Sequence, residues 1–219
     1  MDVFDFANDL EKINFNSLFV EEQIKTFKYN QARSGTKNEY VENTLRLPSM
    51  IMPFYDYVFE NQKIPEPEKY INELFPINYL SWIKQFDSEI QKGIKYRLWK
   101  SYPSFIRDLH FCLLLRDRAS YFSKIIYNRK LDVEFGIDIL INYKEINFGV
   151  KLYTYTENGL KFRNKKDRRH LQFDNIIGVE LPINLDKCKT CGDIYLYSEN
   201  EIELLNKNIN NSISLQTIT

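Results

Sequence analysis

Glu134-Phe-Gly-Ile-Asp-Ile-Leu-Ile-Asn142, followed by Glu145-Ile-Asn-Phe-Gly-Val-Lys-Leu-Tyr-Thr154, is the stretch on which the fold turns. Both segments are rich in β-branched and aromatic residues, and the polar breaks at 128–132 and 142–145 suit hairpins. With Tyr121–Tyr127 ahead of them they predict a three-stranded meander. In the second strand Phe135, Ile137, Ile139 and Ile141 fall on one face, with Glu134, Gly136, Asp138 and Leu140 on the other. In the third, Ile146, Phe148, Val150 and Leu152 form the apolar set, and Asn147, Gly149 and Lys151 alternate opposite them. Asp138 and Lys151 are therefore charges set in apolar strands. Paired strands lie about 4.8 Å apart, so the two converge if their polar positions share a side. Burial of charge is costly unless it is paired. A structural ion pair, or two side chains facing solvent on a one-sided sheet, answers that cost. So does a metal-assisted hydrolytic site, in which a carboxylate holds a hard divalent cation and a lysine serves a water and a phosphate in flight.

Upstream, Pro103 after Ser101-Tyr102 reads as a first-turn proline, and Phe105, Ile106, Leu109, Cys112 and Leu113 recur at helical spacing over about 103–118. Downstream, Ile176–Ile183 and Ile194–Tyr197 read as strands and Glu199–Asn208 as a closing helix. The first hundred residues carry helical signals punctuated by Pro48, Pro53, Pro65, Pro67 and Pro76. Short helices are expected near 17–32, 38–46, 50–61 and 67–74, with a longer one from about 77 to 98. Aromatics there, among them Phe54, Tyr55, Tyr57 and Phe59, are expected in the core rather than on a base-stacking platform. The chain thus divides into a helical region 1–100, an α/β region 101–210 and a fraying, Asn/Ser/Thr-rich tail 211–219.

A helix followed by a three-stranded meander, with Gly136-Ile-Asp138 in the second strand, Gly149-Val-Lys151 in the third and 13 positions from acid to lysine, resembles the restriction-endonuclease-like PD-(D/E)xK nuclease superfamily. The resemblance spans roughly residues 103–183. It implies an α/β (α+β) fold in which the helical N-terminal half packs on an αβββαβ core with a mixed sheet. It also implies a Mg²⁺- or Mn²⁺-dependent DNA endonuclease, with Asp138 as the metal-binding aspartate and Lys151 as the lysine that serves the attacking water. The acid normally found two residues before that lysine is replaced by Gly149. Glu134, Asp132, Asp108 and Glu145 could supply the missing carboxylate. Glu134 is favoured, so Asp138 and Glu134 are the expected metal ligands, and Asp138, Lys151 and Glu134 the expected catalytic set. The alternative is a nuclease fold without catalysis that keeps nucleic-acid binding or assembly. A restriction or DNA-defence role, and a homodimer, are family-level expectations.

The chain is 219 residues long, with 30 Lys+Arg against 30 Asp+Glu, a balance that does not suit bulk electrostatic coating of nucleic acid or anionic lipid. Local charge departs from that balance at Lys161-Phe-Arg-Asn-Lys-Lys-Asp-Arg-Arg-His170, six Lys/Arg to one Asp. A run of this kind is a solvated face or an anion-binding one. Lys161, Arg163, Lys165, Lys166, Arg168 and Arg169 are the candidate DNA-backbone contacts, with His170 at their end. Seven glycines, none in a phosphate-cradling pattern, leave nucleotide-binding folds without a motif. Cys188-Lys-Thr-Cys191-Gly192 has half the ligands of a zinc knuckle, but Cys112, His110 and His170 are scattered, so a turn with two reduced thiols is expected instead. His110 is expected to be a satisfied, partly buried helix residue, with Arg107 and Asp108 a helix-surface pair. The acidic N-terminus, the lack of a membrane-length apolar run and the three cysteines fit a cytoplasmic protein without membrane contact.

Overall fold

Among the described residues the elements before Arg118 are helical, and the strands lie between Lys124 and Leu196. The computed structural model describes residues 7–30, 35–155 and 175–216, and the chain divides into two units. One comprises residues 13–107 and 190–195; the other comprises residues 1–12, 108–189 and 196–219.

In the first unit, α1 (Ser17–Ile24) is started by Asn16, whose side chain accepts the Phe19 N–H at 3.0 Å, and α2 (Glu39–Asn43) by Asn38 in the same way. Next come α3 (Ile51–Asn61) and α4 (Pro67–Lys69). The latter continues through a π-helical turn at Tyr70–Leu74 into α5 (Phe75–Ile83). The aromatics are core, as expected: Phe54, Tyr55, Tyr70 and Tyr102 are fully buried, and Phe54 meets Tyr70 and Tyr102 edge-on at 6.1 Å.

The expected break before Pro103 is absent. The helix boundary lies earlier, where Asp87 accepts the Ile90 N–H at 2.9 Å, and α6 (Ser88–Arg118) runs unbroken through Pro103. A proline inside a helix leaves the carbonyl four residues back without its N–H donor. Here that carbonyl belongs to Trp99, and it accepts the Tyr29 hydroxyl at 2.8 Å. The Trp99 indole N–H donates to the Tyr29 carbonyl at 3.3 Å, and the two rings stack at 4.8 Å. Tyr29→Phe is therefore expected to cost about 1 kcal/mol, read as a lower urea midpoint at unchanged slope.

The second unit is built on a sheet of order β1 (Lys124–Ile126), β2 (Ile139–Tyr143), β3 (Ile146–Thr154), β4 (Ile177–Ile183). The first two pairings are antiparallel and β3/β4 is parallel. A parallel pair cannot be joined by a tight hairpin turn, so β4 is not a continuation of the meander. Register sets Ile139 against Val150, Ile141 against Phe148 and Val150 against Val179, so one face is a continuous buried apolar surface. Asn8 and Asp9 cover the outer edge of β1: the Asn8 amide donates to the Ile125 carbonyl at 3.1 Å and the Asp9 N–H to the Tyr127 carbonyl at 2.8 Å.

The strand expected from Glu134 starts only at Ile139. Leu131–Phe135 form a π-helical turn ended by Gly136 at φ +64°. Alternation is broken there: Ile137 and Leu131 cluster with Ile126 and Leu140, with Phe135 and Ile176 against them. Glu134 is therefore not on a strand face with Asp138. Between β2 and β3 the turn residues Lys144 and Glu145 both adopt positive φ, 51° and 64°, as a two-residue hairpin demands and non-glycine residues resist. Replacing the pair by Asn-Gly is expected to raise stability by about 1 kcal/mol, visible as a higher melting temperature.

Two further three-residue strands, β5 (Lys189–Cys191) and β6 (Ile194–Leu196), form a separate sheet. The closing helix α7 (Glu199–Gln216) packs on β4 and extends past the expected Asn208. Along its polar end Asn210, Ser212 and Ser214 donate to the carbonyls four residues before them at 2.8 to 3.0 Å, so their side chains are satisfied within the helix. The architecture is mixed α/β, and among the described residues no helix is long and apolar enough to cross a membrane.

Candidate functional site

Asp138 stands where the π-helical turn hands the chain to β2, and it is 8% exposed. Its N–H donates to the Val150 carbonyl at 3.0 Å, and its Oδ2 accepts the Leu152 N–H at 2.6 Å. The carboxylate thus takes the place of a backbone acceptor at the end of the β2/β3 ladder. It is fixed against the Lys151–Leu152 segment by a charge-assisted bond. The alternation read from the sequence brings Asp138 and Lys151 to one end of the hairpin, and Lys151 is half-buried there.

Two further carboxylates act on a thiol that Asp138 also acts on. The Cys112 thiol on α6 is pushed well above the usual thiol range, first by complete burial and then by the carboxylates of Asp108, Asp138 and Asp132. Charge from the helix, the π-helical turn and the start of β2 therefore bears on one point. Asp132 is half-buried. Glu134, two residues on, has a side chain 49% exposed and lies 3.9 Å from Lys130. Glu145 sits in the hairpin turn at the far end of β2.

The position of the missing acid is occupied in space. A Cβ on Gly149 would lie 3.0 Å from Ile176 and 3.2 Å from two atoms of Ile137. Sequence reading also missed Glu180. It is the register partner of Lys151 on β4, and its Oε2 accepts the Tyr153 hydroxyl at 3.3 Å. Nothing local marks Glu180, because its relation to Lys151 depends on a pairing between strands distant in the chain.

Among the described residues no group of three or more His, Cys, Asp or Glu side chains is arranged to hold a metal ion. Cys188 donates to the Asn184 carbonyl at 3.0 Å and Cys191 to the Glu21 carbonyl at 3.2 Å, and both thiols are free of disulfides. His110 is fully buried. Arg107 donates to the Tyr195 carbonyl at 3.0 Å and is itself buried, so it is not the surface residue expected. The basic run, with Lys161, Arg163, Lys165, Lys166, Arg168, Arg169 and His170, lies outside the described residues. Compared with known proteins, the chain matches no protein-family model, no curated protein and no solved structure.

Proposed function

We propose that the chain is a divalent-metal-dependent nuclease of restriction-endonuclease-like fold, hydrolysing DNA phosphodiester bonds in a cytoplasmic restriction or DNA-defence role. The observation that carries this reading is the Asp138 carboxylate fixed on the β3 backbone beside Lys151. The sheet around it has an antiparallel meander whose third strand pairs in parallel with a fourth. A mixed sheet is what the resemblance implies.

Mg²⁺ keeps several waters and takes one or two carboxylates together with substrate phosphate, so a set of fewer than three side-chain donors suits it. Asp138 would hold the ion with Asp132 or Asp108. Glu134, exposed and beside Lys130, is less well placed. The bound ion would neutralise phosphate charge and acidify a water. Lys151 would orient the attacking water and offset charge on the phosphate. Lys161, Arg163, Lys165, Lys166, Arg168 and Arg169 would grip the backbone without reading sequence.

A second reading, a nuclease fold that binds DNA without cutting it, is favoured by one observation: Ile137 and Ile176 fill the space a side chain at Gly149 would need. Cleavage of plasmid, linear and single-stranded DNA in Mg²⁺ and Mn²⁺ separates the two. Cutting by the wild type that is lost in Asp138→Asn and Lys151→Ala upholds the nuclease. Absence of cutting on every substrate, with DNA binding kept in both variants, upholds the binding protein.

A further inference from the structure

We infer that Glu180 is the positioning residue for Lys151, an inference that rests on the nuclease reading above. β3 and β4 run in parallel with Lys151 paired to Glu180, so the two side chains rise from neighbouring backbones about 4.8 Å apart on one face of the sheet. Tyr153, two residues beyond Lys151 and therefore on that face, donates its hydroxyl to Glu180 Oε2 at 3.3 Å. From α7, the Asn208 amide donates to the Glu180 carbonyl at 3.1 Å. Both the backbone and the carboxylate of Glu180 are thus tied down.

Lys151, Tyr153 and Glu180 are all half-buried, where an ion pair is screened less than at an open surface. The Asp138 carboxylate has other partners. Its Oδ2 is engaged by the Leu152 N–H at 2.6 Å, and in the proposed reaction it also faces a cation, which repels Lys151. A carboxylate on the strand at the other side of Lys151 counters that repulsion and keeps the ammonium beside the scissile phosphate.

The test follows the Lys151 side-chain nitrogen by NMR in the full-length, metal-free protein, alongside DNA-cleavage kinetics, in Glu180→Gln and Glu180→Asp. Glutamine is nearly isosteric and still accepts the Tyr153 hydroxyl, so folding is retained. The expected result is a shifted or broadened Lys151 resonance in Glu180→Gln that returns toward wild type in Glu180→Asp. Turnover should fall about 10- to 100-fold at nearly constant KM, the size of effect typical of residues that orient catalytic groups. An unchanged Lys151 resonance overturns the inference. So does a moved resonance with wild-type turnover, which leaves only a structural ion pair. If wild-type protein cuts no DNA, the nuclease reading fails, and the resonance alone decides whether Glu180 holds Lys151.

Discussion

Asp138→Asn is expected to remove DNA cleavage, by on the order of 10³-fold or more, while leaving the protein folded. The two halves of that expectation come from different atoms. An asparagine keeps an oxygen that can accept the Leu152 N–H, the bond made by Oδ2 at 2.6 Å in the native chain, so the β2/β3 ladder ends as before. It loses the negative charge that a divalent ion requires. Asp138→Ala removes both, and leaving the Leu152 N–H without its charged acceptor is expected to lower stability by about 2 kcal/mol. Comparing the two variants by urea unfolding and by cleavage separates a structural carboxylate from a catalytic one. Full cleavage by Asp138→Asn would end the nuclease reading.

Restoring an acid at position 149 is expected to harm the protein rather than improve it. A Cβ there would already press on Ile176 at 3.0 Å and Ile137 at 3.2 Å, and Ile137 belongs to the apolar cluster with Ile126, Leu131 and Leu140. Gly149→Glu adds a carboxylate to that crowding. Overpacking costs about 1–3 kcal/mol, and burying an unpaired charge adds to it, so a loss of about 3 kcal/mol is expected, with no gain in cleavage. The urea midpoint and the cleavage rate check it together. A stable, more active Gly149→Glu would mean that the apolar residues yield and that the usual acid position remains open.

Asp138 and Lys151 also mark how much of the site is legible in the sequence. Asp138 and Lys151 stand out because a charge breaks an otherwise apolar alternation, a signal carried by neighbours two residues apart. Local alternation misplaces Glu134 for the same reason. Alternation counted backwards from Ile139 continues through it, whereas the chain enters the π-helical turn Leu131–Phe135 and leaves it through Gly136 at φ +64°. Pro103 shows the same limit on the helical side. Local chemistry makes it a helix start, and a tyrosine far away in the chain, Tyr29, makes it tolerable inside α6 by donating to the Trp99 carbonyl.

By itself, the sequence determined the meander, the buried aromatics and the two charges of the hairpin, since period-two alternation and turn residues act within a few positions of one another. Only the tertiary structure decided that Glu180 stands beside Lys151, that Ile176 closes over Gly149, and that Asp108 and Asp132 bear on the same thiol as Asp138. Each of those relations joins residues on different elements. Register and packing between distant segments are set by which hydrogen-bond ladders and apolar faces can be satisfied at once, and no local pattern records that choice.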